Sequence, residues 1–207
     1  MNLYRWFLKC ASWPKVIVLL VASNVIYFIM IRVTIPNVSN MAEGMKVFDL
    51  MPLGYDVDYA MKLLEALGEE GRNIYLLQQI PLDLVYPGLL GLSGAFLIAR
   101  MTRNHNKMSL ALFIPLIAAT FDYLENMLVA YMLVRYPDVN ALTIKSSSFF
   151  TMGKSLITTI FFLFVILYLV AALIISIKHK LKGEENTDIG DMNGKEIFTS
   201  REEENSN

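Results

Sequence analysis

The chain has 207 residues, of which 55% are apolar and 18% are charged, and its formal net charge is −1. This length fits one ordinary domain, the charged fraction is below that of soluble domains, and the balanced charge gives no general attraction to nucleic acid. The single cysteine, Cys10, excludes an internal disulfide, and no CxxC pair is present for a zinc ribbon or a redox site. We therefore expect a membrane protein that does not bind nucleic acid.

Four apolar segments have about the length that a bilayer-spanning helix needs, which is roughly 20 residues. They cover residues 16–31, 74–99, 109–134 and 149–177. A basic stretch precedes the first segment, as in a signal peptide, but the apolar run is long for one and no A-x-A cleavage site follows it, so we expect it to be retained. The sequence thus predicts an all-α, integral membrane four-helix bundle that occupies residues 1–182.

The loop between the first two segments contains a helical pattern of its own. Apolar residues recur at i, i+3, i+4 and i+7 from Val57 to Leu67, which predicts a short amphipathic helix. Asp56 has the residue type of an N-cap, and Gly68 has that of the residue after a helix end. We expect this helix to lie on the membrane surface or to cap the bundle, either as a packing lid or as a gate.

Ionisable and polar residues inside the apolar segments are the candidates for a functional site, because a charge at the bilayer centre costs several kcal/mol. In a regular helix Arg72, Gln79 and Asp83 lie within about 40° of one another, and Tyr86 lies on the neighbouring flank. On the third segment Asp122, Glu125 and Asn126 lie within about 60° of one another. The fourth segment contributes one lysine on the same face as two threonines. The candidate ligand-binding residues are Arg72, Gln79, Asp83, Tyr86, Asp122, Glu125, Asn126 and Lys154.

Lysine and arginine residues gather on one side of the predicted bundle. They precede the first segment, fill the turn between the second and third at residues 100–107, and follow the fourth at residues 178–182. The loop between the first two segments carries mostly acids. Because cytoplasmic loops are enriched in Lys and Arg, we predict a multi-pass protein of the cell membrane with both termini in the cytoplasm. Residues 183–207 have few apolar side chains, which predicts a disordered cytoplasmic tail.

The depth of the candidates along their helices predicts a polar pocket that opens outwards, with the acids as its floor and Arg72 and Lys154 near its mouth. Two neighbouring carboxylates in a dry site do not both ionise easily, so Asp122 and Glu125 are the candidates for acid–base catalysis. The basic residues could bind an anionic head group. The oxygen ligands alternatively suit a hard divalent cation rather than zinc, and the apolar segments contain no histidine to ligate haem.

Three functions remain open at this point. The first is a pocket that binds a lipid-like or small polar ligand, with membrane lipid as the expected partner. The second is a non-catalytic subunit or helper of a membrane complex, which would contact other membrane proteins or a second copy and use its acids to lock helices. The third is a small proton-coupled carrier. The sequence assigns neither a ligand nor a reaction, and it assigns no residues to a metal.

Several short segments resemble a group of uncharacterised bacterial membrane proteins with four spans. The similarity covers roughly residues 45–160, and its most specific pieces are LGEEGRNIY at residues 67–75 and FDYLEN at residues 121–126. No activity is established for that group. The resemblance therefore implies a four-span architecture and supports the choice of site residues, without implying a reaction.

Overall fold

The computed structural model describes residues 3–103 and 110–204, and within these ranges it describes the side chains of residues 5–103 and 110–178. All regular elements in these ranges are helices. Four of the described helices are long and apolar enough to cross a membrane, and they cover Trp13–Met41, Gly68–Met101, Leu110–Arg135 and Ala141–Lys178. The prediction of an all-helical protein with four helices of spanning length is confirmed.

The first long helix is not regular throughout. It consists of α2 (Trp13–Ile29), a wide turn of the π type (Met30–Thr34) and α3 (Ile35–Met41). Pro36 explains the wide turn, because in a regular helix the proline ring would clash with the carbonyl of Arg32 four residues earlier. The wide turn lets the helix pass the proline. The helix therefore continues to Met41, whereas the apolar run alone predicted an end at residue 31.

The second long helix has the same construction. It consists of α5 (Gly68–Ile74), a second wide turn (Tyr75–Gln79) and α6 (Ile80–Met101). Pro81 follows this turn, and its ring would otherwise meet the carbonyl of Leu77. The two wide turns face each other, because the Thr34 hydroxyl donates a hydrogen bond to Oε1 of Gln79. The sequence predicted a start at residue 74, so the polar turn of helix before it was missed.

The loop between α3 and α4 folds back against the helices. Phe48 begins a short 3-10 turn and is fully buried, with its ring centroid 4.7 Å from that of Tyr55. The helix α4 (Val57–Ala66) follows Asp56, whose carboxylate accepts a hydrogen bond from the Tyr59 N–H at 2.7 Å. The main apolar core combines buried residues of this loop and of α4 with buried residues of the long helices: Val38, Phe48, Leu63, Leu64, Tyr75, Met132 and Ile144.

Small residues on α6 allow α7 (Phe113–Arg135) to approach closely. A Cβ added at Gly91 would lie 2.9 Å from the Cβ of Ala119, and one added at Gly94 would lie 2.8 Å from the Cβ of Pro115. Real Cβ contacts are longer than this, so both positions need glycine. The pattern is that of helix pairs in membranes, where small residues replace apolar burial as the means of close packing.

The chain divides into two compact units, Met1–Phe162 and Leu163–Asn207. The first unit begins with α1 (Leu3–Cys10) and contains all the helix contacts described so far, and the second consists of the later part of α8 (Ala141–Glu204). The structure gives the backbone of residues 183–204 as a continuation of α8 and describes no side-chain contacts there. The disorder of the tail therefore stays a prediction. Most of the predicted basic turn, at residues 104–109, lies outside the described residues.

Candidate functional site

Lys154, on α8, lies at the centre of a group of carboxylates. Its Nζ is 2.6 Å from Oε2 of Glu125, 2.9 Å from Oδ1 of Asp122 and 3.6 Å from Oδ1 of Asp49. None of these four side chains is more than 14% exposed. Burying charges is costly unless each is paired, and here one ammonium group serves three carboxyl groups. The group therefore contains more negative charge, or more protons on its acids, than a simple ion pair would.

Asp83, on α6, extends the polar group towards the first long helix. Its Oδ2 accepts a hydrogen bond of 2.8 Å from Nε2 of Gln79, which in turn accepts the bond from Thr34. Asn126, on α7, donates through Nδ2 to the backbone carbonyl of Asp83 at 3.0 Å and to Oδ1 of Asp122 at 3.3 Å. These bonds join three long helices, and every side chain in them except that of Asp122 is at least 94% buried.

Glu125, on α7, connects the group to α8 and to the loop. Its side chain is fully buried, and its Oε1 accepts a hydrogen bond of 2.8 Å from the Thr151 hydroxyl. The Tyr55 hydroxyl, from the loop before α4, donates to Oγ of Ser147 at 2.7 Å, one helical turn from Thr151. Burial raises the pKa of Tyr55 well above its ordinary value, so this hydroxyl stays protonated and remains a donor.

Asp49 completes the group and was not predicted as a site residue. It lies in the loop, and its Oδ2 accepts a hydrogen bond of 2.9 Å from the Tyr75 hydroxyl, whereas its Oδ1 has no hydrogen-bond donor. The loop reaches this position because the Tyr55 N–H bonds to Oγ of Ser148 at 2.8 Å. One signal was present in the sequence. Asp49 stands between two large apolar residues, Phe48 and Leu50.

A cavity of about 320 Å³ lies beside this group. It could hold about ten water molecules at roughly 30 Å³ each, which is at the lower end of the range for small-molecule pockets. Its polar lining consists of Asp49, Asp83, Asp122, Lys154, Ser155 and Thr158. Its remaining lining consists of Tyr27, Met30, Ile31, Ile35, Leu50, Tyr86 and Leu90. The lining of the cavity thus combines apolar and aromatic side chains with three carboxyl groups and one lysine.

The structure brings most of the predicted site residues together. Those within the hydrogen-bonded group are Gln79, Asp83, Asp122, Glu125, Asn126 and Lys154, and Tyr86 lines the cavity. Lys154, which was expected near the mouth of the pocket, lines the cavity, and three carboxyl groups lie within 4 Å of its Nζ. Thr34 and Thr151 were not named as site residues, although Thr151 was placed on the face of Lys154.

Arg72 lies elsewhere. Its Nη1 donates a hydrogen bond of 2.9 Å to the carbonyl of Leu64, and its guanidinium lies 4.6 Å from the ring centroid of Tyr136. The helical wheel aligned Arg72 with Asp83 by assuming a regular helix. The wide turn at Tyr75–Gln79 adds one residue to a turn between them, which displaces the periodicity by about 100°. Arg72 therefore joins α4 and the end of α7 instead of the cavity.

Within the described residues, no group of three or more His, Cys, Asp or Glu side chains could hold a metal ion. Lys154 Nζ already occupies the position between the carboxylates that a cation would take. The chain matches no protein-family model, no curated protein and no solved structure.

Proposed function

We propose that this protein is a multi-pass protein of the cell membrane that binds a lipid-like or small polar ligand in the cavity beside Lys154. In this proposal the four long helices form a bundle, both termini are cytoplasmic, the cavity opens outwards and α4 lies on the outer surface. The distribution of lysine and arginine supports this orientation. The observation that carries the binding proposal is the cavity itself, whose lining combines apolar side chains with Asp49, Asp83 and Asp122.

A purely structural role explains the acidic group less well. One buried ion pair is enough to lock two helices, and additional buried carboxylates reduce stability unless they are also paired. Here Lys154 is shared by three acids, and Asp83 adds a fourth carboxyl group that bonds to the amide of Gln79. Ionisable residues inside membrane spans are usually kept for function, and these border a space of ligand size.

Filling the cavity tests the proposal. Leu90 lines the cavity, whereas Leu92, two positions along the same helix, is 40% exposed on another face. A tryptophan at position 90 would occupy the cavity, and a tryptophan at position 92 would project away from it. The purified variants Leu90→Trp and Leu92→Trp therefore form a matched pair with the same change in composition.

We expect fractions of a membrane lipid extract to raise the unfolding temperature of the wild type and of Leu92→Trp, but not of Leu90→Trp. At a ligand concentration of 100 times Kd the gain would be about 2.7 kcal/mol, or roughly 5–10 °C for a chain of this size. Equal stabilisation of both variants would place the binding outside the cavity. The absence of stabilisation by every fraction and by small polar solutes would remove the binding proposal.

A second candidate is a proton-coupled carrier, and the series of polar contacts between two helices favours it. Hydrogen bonds join Thr151 to Glu125, and join Lys154 and Asn126 to Asp122, and an ion pair of 2.6 Å joins Glu125 to Lys154. The protein in liposomes that contain a pH-sensitive dye would then move protons under a pH gradient, and Glu125→Gln would stop the movement. A role as a helper subunit stays a prediction, which copurification with a partner would test.

A further inference from the structure

The balance of charge around the cavity indicates the kind of ligand that would bind there. Four carboxyl groups belong to the group: Asp49, Asp83, Asp122 and Glu125. Among the described residues that line the cavity, Lys154 is the one basic side chain, and its Nζ is already within 4 Å of three of these carboxyl groups. An anionic head group would meet these acids at close range. Carboxyl groups thus outnumber basic side chains in this group by four to one, which favours a ligand that donates hydrogen bonds.

Three buried acceptors in this group accept no hydrogen bond: Oδ1 of Asp49, Oε2 of Glu125 and Oδ1 of Asn126. The Lys154 ammonium lies 2.6 Å from Oε2 of Glu125 and 3.6 Å from Oδ1 of Asp49, which is too far for a hydrogen bond. A buried acceptor without a donor is costly, and a ligand with N–H groups would satisfy it. Asp49 is the best placed of the three because it lines the cavity. A quaternary ammonium group carries the charge but has no N–H to donate.

The apolar part of the lining indicates what the head group is attached to. Met30, Ile31 and Leu90 contribute apolar surface to the cavity. Tyr27 and Tyr86, whose rings stack with their centroids 5.5 Å apart, also line it. An alkyl chain fits this surface, since apolar contact there removes hydrocarbon from water. A hydrated metal ion would leave this apolar surface uncovered, and among the described residues no group of three or more His, Cys, Asp or Glu side chains could hold one.

We propose that the cavity binds a primary-amine amphiphile, with its ammonium group donating to Oδ1 of Asp49 and its alkyl chain against Met30, Ile31 and Leu90. This inference rests on the proposed function and names the ligand class. The ammonium adds a second positive charge to a group of four carboxyl groups that has only Lys154. Asp83 and Asp122 line the same cavity and accept its remaining N–H donors. The amine stays on the ligand, and no bond is formed or broken.

The test compares four amphiphiles of equal chain length with the purified full chain in a neutral detergent. They are dodecylamine, dodecyltrimethylammonium, dodecanol and dodecyl sulfate, and propylamine serves as a short amine. Each is titrated against wild type, Asp49→Asn and the control Asp58→Asn, which removes an exposed acid in α4. All variants share the same detergent, so partition of each amphiphile into micelles affects them equally.

We expect dodecylamine to bind wild type and Asp58→Asn with the same Kd, and Asp49→Asn with a Kd about tenfold higher or more, as for the loss of a charged hydrogen bond. Dodecyltrimethylammonium should bind wild type about tenfold more weakly than dodecylamine for the same reason. The proposal is overturned if the quaternary compound or the sulfate binds as tightly as the amine. If propylamine binds as tightly as dodecylamine, the alkyl chain contributes nothing to binding, and the ligand does not come from the membrane.

Two further variants keep the result interpretable. Tyr75→Phe removes the donor to Oδ2 of Asp49 and leaves a second free acceptor, so it should tighten dodecylamine binding even if Asp49→Asn fails to fold. Unchanged binding by Tyr75→Phe would count against contact with Asp49. Leu90→Trp should abolish amine binding. If Leu90→Trp still binds dodecylamine, the cavity is not the site and the proposed function fails too. If Leu90→Trp blocks binding but the wild type prefers dodecyl sulfate to dodecylamine, only the ligand class is overturned.

Discussion

Replacing Lys154 by methionine is the most demanding test of the acidic group. Methionine keeps a similar length and flexibility but removes the ammonium that lies 2.6 Å from Glu125 and 2.9 Å from Asp122. The carboxyl groups of Asp49, Asp122 and Glu125, none more than 13% exposed, then lose their common cation. Removing one partner of a buried ion pair costs about 3–5 kcal/mol, because the remaining charge stays buried without compensation.

This loss corresponds to a fall in unfolding temperature of about 6–20 °C for a chain of this size. Thermal unfolding of the purified protein in a neutral detergent, followed by intrinsic fluorescence, measures it directly. Lys145→Met is the matched control, because Lys145 is exposed on the same helix, and we expect its unfolding temperature to stay within about 1–2 °C of the wild type.

The double variant Lys154→Met with Glu125→Gln separates charge from packing. Neutralising the closest carboxylate removes part of the uncompensated charge, so we expect the double variant to be more stable than Lys154→Met alone. A coupling energy of about 0.5–3 kcal/mol is typical of directly interacting side chains. If Lys154→Met melts like the control, or if Glu125→Gln lowers the stability of the double variant further, the ion-pair geometry is not what holds these helices together.

Three other predictions use the same assay. Glu125→Gln alone should raise the unfolding temperature, because it relieves the surplus of negative charge and its amide still accepts from Thr151; a marked decrease would make the acid structural. Gly91→Leu should lower stability by about 1–3 kcal/mol through overpacking against α7, whereas the same change at an uncrowded glycine, Gly44→Leu, tests backbone strain alone. Thr34→Val leaves the Gln79 carbonyl without its donor and should cost about 1–3 kcal/mol, with no loss expected if water replaces the hydroxyl.

Hydropathy was enough to identify the four long helices, because a bilayer requires long apolar runs and leaves little choice of secondary structure. The helical wheel also grouped Asp122, Glu125 and Asn126 correctly, since α7 is regular from Phe113 to Arg135. Both inferences depend on local periodicity. They succeed where a helix is straight and its neighbours impose no change of register.

Long-range contacts were beyond such reasoning. Asp49 joins the site only because the loop docks on α8 through Tyr55 and Ser148, which are 93 residues apart in the sequence. The displacement of Arg72 has a different cause, the wide turn between it and Asp83. Pro81 and Pro36 indicated that these helices could depart from regular geometry, because a proline inside a helix removes a backbone hydrogen bond and its ring crowds the preceding turn. They did not determine a wide turn, since Pro87 lies inside α6 without one.

The wide turn at Tyr75–Gln79 also determines how the protein responds to a change in chain length. The turn holds one residue more than a regular helix would between the same two ends, so deleting one residue there would leave a regular helix with α5 and α6 in their present orientation. Arg72 would still face the carbonyl of Leu64. A regular helix with the full number of residues would instead rotate α5 by about 100° and align Arg72 with Asp83. The wide turn thus keeps a guanidinium group, which cannot lose its charge, away from the lysine and the acids that line the cavity.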